Sequence, residues 1–183
     1  MGFTLRAMSF QKRKFTKNDI APLFEWFQSE RDVLQWAGAA LSWPLQRREF
    51  IDLIKLHRGH TPAREVWAVT LDGEMAAHFQ ISYNRRLNTA GLGRIAMAPE
   101  LRGMSLATDL MDLILDQAFS SAWVHRVDLL VYAHNQAAIR TYERAGFISE
   151  GTRRETTPIG NEIWDTHMMS LLRREFDKRT ERE

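Results

Sequence analysis

Residues 94–114, RIAMAPELRGMSLATDLMDLI, run from an apolar strand-like piece through a turn into an amphipathic helix. Leu106, Leu110, Leu113 and Ile114 recur at helical spacing on one side, and Asp109, Asp112 and Asp116 form an acidic stripe facing solvent. This strand–turn–helix unit commits the chain to layers that mix helix and sheet. Its turn, RGMSLA, supports two readings. Gly103 to Ala107, GMSLA, has the outline of a relaxed nucleophile elbow with Ser105 as the nucleophile. Alternatively Arg102, Gly103 and the small Ala107 let backbone N–H groups at a helix N-terminus point outward as a phosphate cradle, to which Ser105 adds a hydroxyl. An elbow needs its serine directly after the strand, whereas Pro99 to Met104 intervene and place Ser105 in the first helical turn. Asp128 or Asp165 with His167 completes only a nominal triad, and Asp165 and His167 share one strand face.

Composition narrows the chemistry. The chain has no cysteine, which removes disulfides, thiolate metal sites and an acyl-cysteine intermediate. His57 and His60 are the only close pair among six histidines and no HExxH pattern occurs, so no metal is expected. A net charge of +2 with a pI near 9.1 is too mild to argue for nucleic acid, yet suits a small anionic ligand. No apolar run approaches the ~20 residues of a membrane span. The basic N-terminal residues Arg6, Lys12, Arg13, Lys14 and Lys17 precede no cleavable apolar stretch, so a cytoplasmic protein is expected.

The chain's 183 residues suit one domain, 1–183, with no repeat, low-complexity tract or linker. Residues 3–15 begin as a strand. Thr16 to Asp19 then has the form of a capping box that opens a helix through DIAPLFEWFQSE. A short helix is predicted around DVLQWAG. Another follows in PLQRREFIDLIKLH, with Pro44 in its first turn and Phe50, Leu53, Ile54 and His57 at helical spacing. EVWAVT and EMAAHFQISY flank Asp72-Gly73 as a β-hairpin. GRIAMA is a strand, RVDLLVYA a buried strand, and NQAAIRTYERAGF a helix capped by Asn135 and closed by Gly146. FISEGTRRE and EIWDTHMMSLL close the fold as paired strands, and the tail, 173–183, is a partly frayed helix. The expected class is α/β (α+β), with a mixed, mostly antiparallel sheet of about six to seven strands flanked by helices.

RGMSLA together with LLVYAHNQAAIRTYERAGF resembles the GCN5-related N-acetyltransferase superfamily. Its turn pattern Arg/Gln-x-x-Gly-x-Gly/Ala is matched by Arg102, Ser105 and Ala107. Its Asn-x-x-Ala-x-x-x-Tyr-Glu-x-x-Gly-Phe pattern is matched by Asn135, Ala138, Tyr142, Glu143, Gly146 and Phe147. Ser105 stands where the family has its central glycine. The ending EGTRRETTPIGNEIWDTHMMSLL looks like the RimJ/RimL-type branch, whose members acetylate protein N-termini and small amines, while LFEWFQSERDVLQWAG is similar to aminoglycoside acetyltransferases.

The resemblance implies transfer of an acetyl group from acetyl-CoA to a primary amine by direct attack on the thioester. Acetyl-CoA and the amine are then the partners, without nucleic acid, membrane or metal, and a homodimer is compatible. Cofactor binding falls to a core about 92–150. There the backbone of Ile95, Ala96 and Met97 receives the pantetheine and thioester, the turn Arg102, Gly103, Met104, Ser105, Leu106 and Ala107 receives the diphosphate, and Asn135 contributes from the later helix. Residues 16–60 carry acceptor specificity. Tyr142, seven residues and two helical turns from Asn135, lies on the same face and would protonate the departing thiolate. The strand GRIAMA lacks the Glu that often serves as base, leaving His78, His134, Glu100, Asp165, His167 or a water chain. His78 alternates with Gln80 and Ser82 on a face that is either solvent or acceptor pocket. Trp26, Trp36, Trp43 and Trp67 are expected in the core. Two alternatives stay open: a non-catalytic acyl-CoA-binding module, and a serine hydrolase using Ser105.

Overall fold

The computed structural model of the chain describes residues 9–56 and 63–180. The His57–His60 pair, the start of the first predicted strand and the last residues of the tail lie outside them. In chain order the elements are β1 (Gln11–Lys14), α1 (Ile20–Glu25), α2 (Glu30–Ala37), α3 (Arg47–Leu56), β2 (Arg64–Leu71), β3 (Glu74–Asn84), β4 (Thr89–Met97), α4 (Ala107–Phe119), β5 (Arg126–Tyr132), α5 (Gln136–Arg144), β6 (Ile148–Ile159), β7 (Glu162–Leu172) and α6 (Arg173–Thr180). The strands form one seven-stranded sheet in the order β1-β2-β3-β4-β5-β7-β6. Among the described residues only β4 and β5 run parallel, so the sheet is mixed and mostly antiparallel, as expected.

Local chemistry sets the junctions. Asp72 and Gly73 both sit at positive φ, 51° and 91°, the geometry of a two-residue hairpin turn between β2 and β3. Asn135 caps α5 by accepting the Ala138 N–H at 3.2 Å, and Gly146 ends it at φ 96°. At the entry to α1, the Asp19 carboxylate accepts the Thr16 N–H at 2.7 Å and its hydroxyl at 2.8 Å, while Arg13 grips both carboxylate oxygens at 2.6 and 2.7 Å. Burial by itself would raise the Asp19 pKa; the bonds from Arg13 and Thr16 outweigh it and hold the group below its ordinary value.

Helices cover both faces of the sheet. On one face α4 and α5 set Leu110, Met111, Ile114, Leu115 and Ile139 against Phe79, Ile81, Val127 and Leu129. On the other, Ile20, Leu23, Phe27, Val33 and Phe50 pack on Val66 and Ala68. Covering both faces buries a run of six consecutive residues in β3. His78 and Gln80 fall inside that run, so of the two expectations for their face the solvent one fails, while Gln80 and Ser82 border a cleft.

Several expectations need correction. Within the described residues the first predicted strand is the exposed edge strand β1, and the helix after Asp19 stops at Glu25. Pro44 lies three residues before α3 rather than in its first turn. RVDLLVYA is not buried throughout: β5 alternates, leaving Leu130 58% exposed, because its second face opens on a cleft. Trp26 is core, but Trp43 is 41% exposed. Asp112 of the acidic stripe pairs with Arg179 of α6.

The tail helix is docked over its described length instead of fraying. Phe176 stacks on Phe119 with centroids 4.7 Å apart. Arg173 donates to the carbonyls of Phe119, Ser121 and Val124 at 2.8, 2.8 and 2.7 Å, satisfying acceptors at and just past the end of α4. Arg173→Ala should therefore cost about 2–3 kcal/mol, read as a lower urea midpoint at unchanged m-value, since three partly buried carbonyls lose a charged donor.

Candidate active site

Parallel pairing of β4 with β5 runs from Thr89↔Arg126 to Leu92↔Leu129 and stops there. Beyond Leu92 the two strands diverge, so the edge of β4 that faces β5 has no strand partner from Gly93 to Met97. A β-bulge lies at the point of divergence. Gln80 of β3 pairs with Gly93 and His78 with Ala96, which leaves one extra residue on β4, and Arg94 there adopts φ 49°. A cleft of about 1330 Å³ opens between the splayed strands, larger than one small-molecule pocket and roomy enough for two reactants.

The predicted residues meet this cleft unevenly. Ile95, Ala96, Met97 and Arg102 line it from the β4 side, and Asn135, Ala138 and Tyr142 line it from α5. Gly103, Met104, Ser105, Leu106 and Ala107 do not form its wall; they continue from Arg102 as the turn into α4. Arg102 donates from Nε to the Met97 carbonyl at 3.0 Å, tying the turn to the end of β4. The N–H groups of Gly103, Ser105, Leu106 and Ala107 bond to no group among the described residues, an outward set of donors at the positive end of a thirteen-residue helix. This arrangement fits a diphosphate.

Ser105 precedes α4 rather than entering its first turn. Its φ is 61°, and Gly103 has φ 78°. The left-handed conformation explains why glycine suits position 105: a Cβ there is strained by about 1–2 kcal/mol. The hydrolase alternative loses its partners here. His167 contacts the Ser149 hydroxyl at 2.8 Å and the Thr152 hydroxyl at 2.9 Å through its two ring nitrogens, and Asp165 accepts the Glu155 N–H at 2.8 Å. Asp128 is held by Arg126 Nε at 2.6 Å.

On α5, Asn135 spends its carbonyl oxygen on the helix cap, leaving its amide donors for the cleft. Tyr142 packs edge-on to Phe147 with centroids 6.0 Å apart. Its hydroxyl bonds to nothing among the described residues, and burial pushes its pKa up to about 12. Opposite, α2 brings Asp32, Gln35 and Trp36 to the cleft. That helix is clamped to the β6–β7 hairpin by Arg31, which pairs with Glu162 at 3.1 Å and lies 4.7 Å above the Trp164 ring. His134 joins the clamp, contacting Gln35 at 3.1 Å and standing edge-on to Trp164 at 4.4 Å.

None of the five side chains considered as bases, His78, His134, Glu100, Asp165 and His167, lines the cleft. His78 is fully buried beneath Phe15 and Trp36. Arg64 and Arg94 both donate to Gln80 Oε1, at 3.0 and 3.1 Å, so the Gln80 amide must donate to His78 Nε2 at 3.2 Å. Sequence reasoning missed Arg64, Arg94, Asp32 and the Trp164 clamp. The available signal for Arg94 was Gly91-x-Gly93-Arg94, glycines inside a strand pattern that mark a bulge or a close approach. Gly91 meets the second description, because a Cβ there would stand 2.9 Å from Ser82 Oγ.

Two outcomes follow from this geometry. Burial first, then the Arg94 charge, pushes His78 down to about 3 from the ordinary 6.5. Between those values only the unfolded chain takes up the proton, so stability falls as pH drops through 6.5. Urea unfolding should show a loss of ~1 kcal/mol from pH 7 to 5.5 that His78→Gln removes. Ser105→Gly should leave the Tm equal or higher and CoA affinity equal or tighter, while Ser105→Val should cost about 1–2 kcal/mol. Differential scanning calorimetry and isothermal titration with CoA measure both.

The acetyltransferase (GNAT) family matches residues 23–147. Spermidine N(1)-acetyltransferase of Vibrio cholerae is 32% identical over 88 residues, 48% of this chain and 51% of that protein. Aminoglycoside N(6')-acetyltransferase type 1 of Klebsiella pneumoniae is 26% identical over 166 residues, 83% of this chain and 79% of that protein. The chain spans about half the length of the spermidine acetyltransferases it matches. A crystal structure of spermidine N-acetyltransferase from Vibrio cholerae in complex with CoA and spermine shares the fold, with a TM-score of 0.78 at 22% identity over 92% of this chain and 98% of that one. The family match covers well over half of the chain and includes the splayed strand, the donor turn and the helix bearing Tyr142; the chain belongs to the acetyltransferase (GNAT) family.

Proposed function

We propose that this chain is an acetyl-CoA-dependent N-acetyltransferase acting on a primary amine, with residues 92–150 holding the acyl donor and residues 16–60 contacting the acceptor. The observation that carries the reading is the unpaired edge of β4 from Gly93 to Met97. It opens on a cleft that also contains Tyr142 and ends at a turn of free N–H donors. In this arrangement the backbone of Ile95, Ala96 and Met97 offers hydrogen bonds to the pantetheine and the thioester carbonyl. Arg102 and the N–H groups of Gly103, Ser105, Leu106 and Ala107 hold the diphosphate, and the Asn135 amide adds a donor. Bound acetyl-CoA supplies a thioester whose acyl carbon is open to an amine. A carbon–nitrogen bond forms at that carbon, the carbon–sulfur bond breaks, and the attacking nitrogen releases a proton to water.

Tyr142 has the remaining role. With its pKa near 12 the phenol stays protonated at any working pH. A thiol in water has a pKa near ~8.5, so donation to a free thiolate would be uphill; burial that raises the phenol also raises the thiol facing it and narrows the gap. Since none of His78, His134, Glu100, Asp165 and His167 lines the cleft, the reading favours amines that are partly neutral unaided. An α-amine, with its pKa of ~7.7–8.0, qualifies better than a lysine-like amine at ~10.4. The RimJ/RimL-like C-terminal segment supports the same preference, extending it to peptide N-termini. A cytoplasmic location and a homodimer belong to this reading as expectations.

Acetylation of a panel of amines followed by free-thiol release tests the proposal. Tight CoA binding without turnover on any amine would select the non-catalytic module. Tyr142→Phe should lower kcat by ~10²–10⁴-fold, with acetyl-CoA affinity within a few-fold, because general-acid assistance acts in the transition state. Native kcat in that variant, with chemistry rate-limiting, would reduce Tyr142 to a packing residue.

A further inference from the structure

The cleft wall next to the proposed thioester site carries an unusual concentration of positive charge. Arg64 of β2 and Arg94 of β4 converge on one neutral acceptor, Gln80 Oε1, at 3.0 and 3.1 Å. Each guanidinium offers five N–H donors, and one bond apiece accounts for their protein contacts among the described residues. Neither forms an ion pair with a described carboxylate. Glu49 acts on Arg94 only through its field, and burial together with the Arg64 charge brings Arg94 down to about 10. Two like charges, partly desolvated and sharing one amide oxygen, are costly unless an anion joins them.

We propose that the acceptor amine also carries a carboxylate, and that Arg64 and Arg94 receive that carboxylate in the cleft. This rests on the acetyltransferase reading and narrows its acceptors, in place of peptide N-termini, to one substrate class: small molecules in which amine and carboxylate lie a few bonds apart. The bulge is the reason the site exists. Arg94 is held at φ 49°, and the extra residue turns its side chain onto the Gln80 face of the sheet. Immediately after it come Ile95 to Met97, so an anion on Arg94 places its attached amine next to the strand edge assigned to the thioester. Gly93 keeps the approach open, since a Cβ there would meet nothing within 4 Å.

The carboxylates of the cleft point the same way. Asp128 and Glu150 are both engaged by Arg126, at 2.6 and 2.8 Å. Asp32 accepts the Gln28 N–H at 3.0 Å and is the one cleft carboxylate without a cationic partner among the described residues. A polycation entering this cleft would meet only Asp32 and the single charge that Arg126 leaves unbalanced on Asp128 and Glu150, against the cationic pair Arg64 and Arg94. A guanidinium pair fits a carboxylate by parallel N–H bonds that an amide or an ammonium cannot replace.

The test uses the full chain with acetyl-CoA and matched acceptors: α-amino acids and short ω-amino acids, the carboxamide of each, and spermidine. Free carboxylates should exceed their carboxamides in kcat/KM by at least ~10-fold. Arg94→Gln should raise the acceptor KM by ~10–100-fold and erase that preference, with the acetyl-CoA KM within a few-fold. Arg64→Gln should act in the same direction and guards against a fold defect in the first variant. Turnover with equal or better use of carboxamides or spermidine, or a change confined to the acetyl-CoA KM, overturns the inference and leaves the acetyltransferase reading intact. A chain that fails to bind acetyl-CoA in calorimetry overturns that reading and this inference with it. If acetyl-CoA binds but no amine is turned over, N-acetylated amino acids on the CoA-saturated protein decide the matter. A thermal shift larger than that of their carboxamides and lost in Arg94→Gln supports the carboxylate site, and equal shifts overturn it.

Discussion

The departure of β4 from β5 after Leu92 and Leu129 is the constraint on which the rest of the molecule depends. A parallel pair that continued to the end of both strands would close the sheet and leave no cleft. Neighbours on either side hold the strands apart. β4 stays laddered to β3 as far as Ala77↔Met97, and β5 is paired along its whole length with β7. Between those fixed edges the opening must fall at β4 and β5, and the bulge at Arg94 absorbs the change in strand direction. The strain of a non-glycine residue at φ 49° is concentrated where the substrates would meet.

Polar groups in the interior are organised around the same point. Arg64 and Arg94 fix the Gln80 amide, and Gln80 in turn fixes His78 in its neutral form. The network has no acid, unlike the Arg13–Asp19–Thr16 cluster at the entry to α1 or the Arg126–Asp128–Glu150 cluster across the cleft. Each of those clusters pairs its arginine with a carboxylate, and the second carries one carboxylate in excess. If the acceptor carries a carboxylate, that anion would join Arg64 and Arg94 and offset their mutual repulsion.

Opposite β4 the cleft is bounded by contacts between elements far apart in the chain. Arg31 and Glu162 bring α2 to the β6–β7 hairpin, with Trp164 beneath the guanidinium. The Tyr132, His134 and Trp164 rings pack together at the end of β5. Through these contacts the N-terminal helices, whose sequence carries little catalytic signal, become one wall of the site.

By itself the sequence determined whatever depends on a few neighbouring residues. The hairpin at Asp72-Gly73, the cap at Asn135, the stop at Gly146 and the helical periodicity of α4 and α5 are local, so their spacing was legible. The turn from Arg102 to Ala107 and the shared face of Asn135 and Tyr142 were legible for the same reason. Tertiary structure decided the rest. Periodicity marks a face as alternating but cannot tell which element will cover it: His78 lies beneath Phe15 and Trp36, whereas Gln80 and Ser82 of the same face reach the cleft. The docking of α6 on α4, the bulge that aims Arg94 and the Arg31–Glu162 clamp across 131 residues of chain are likewise beyond local spacing. Each depends on which surfaces meet after the sheet has formed, a question of long-range packing that no window of sequence contains.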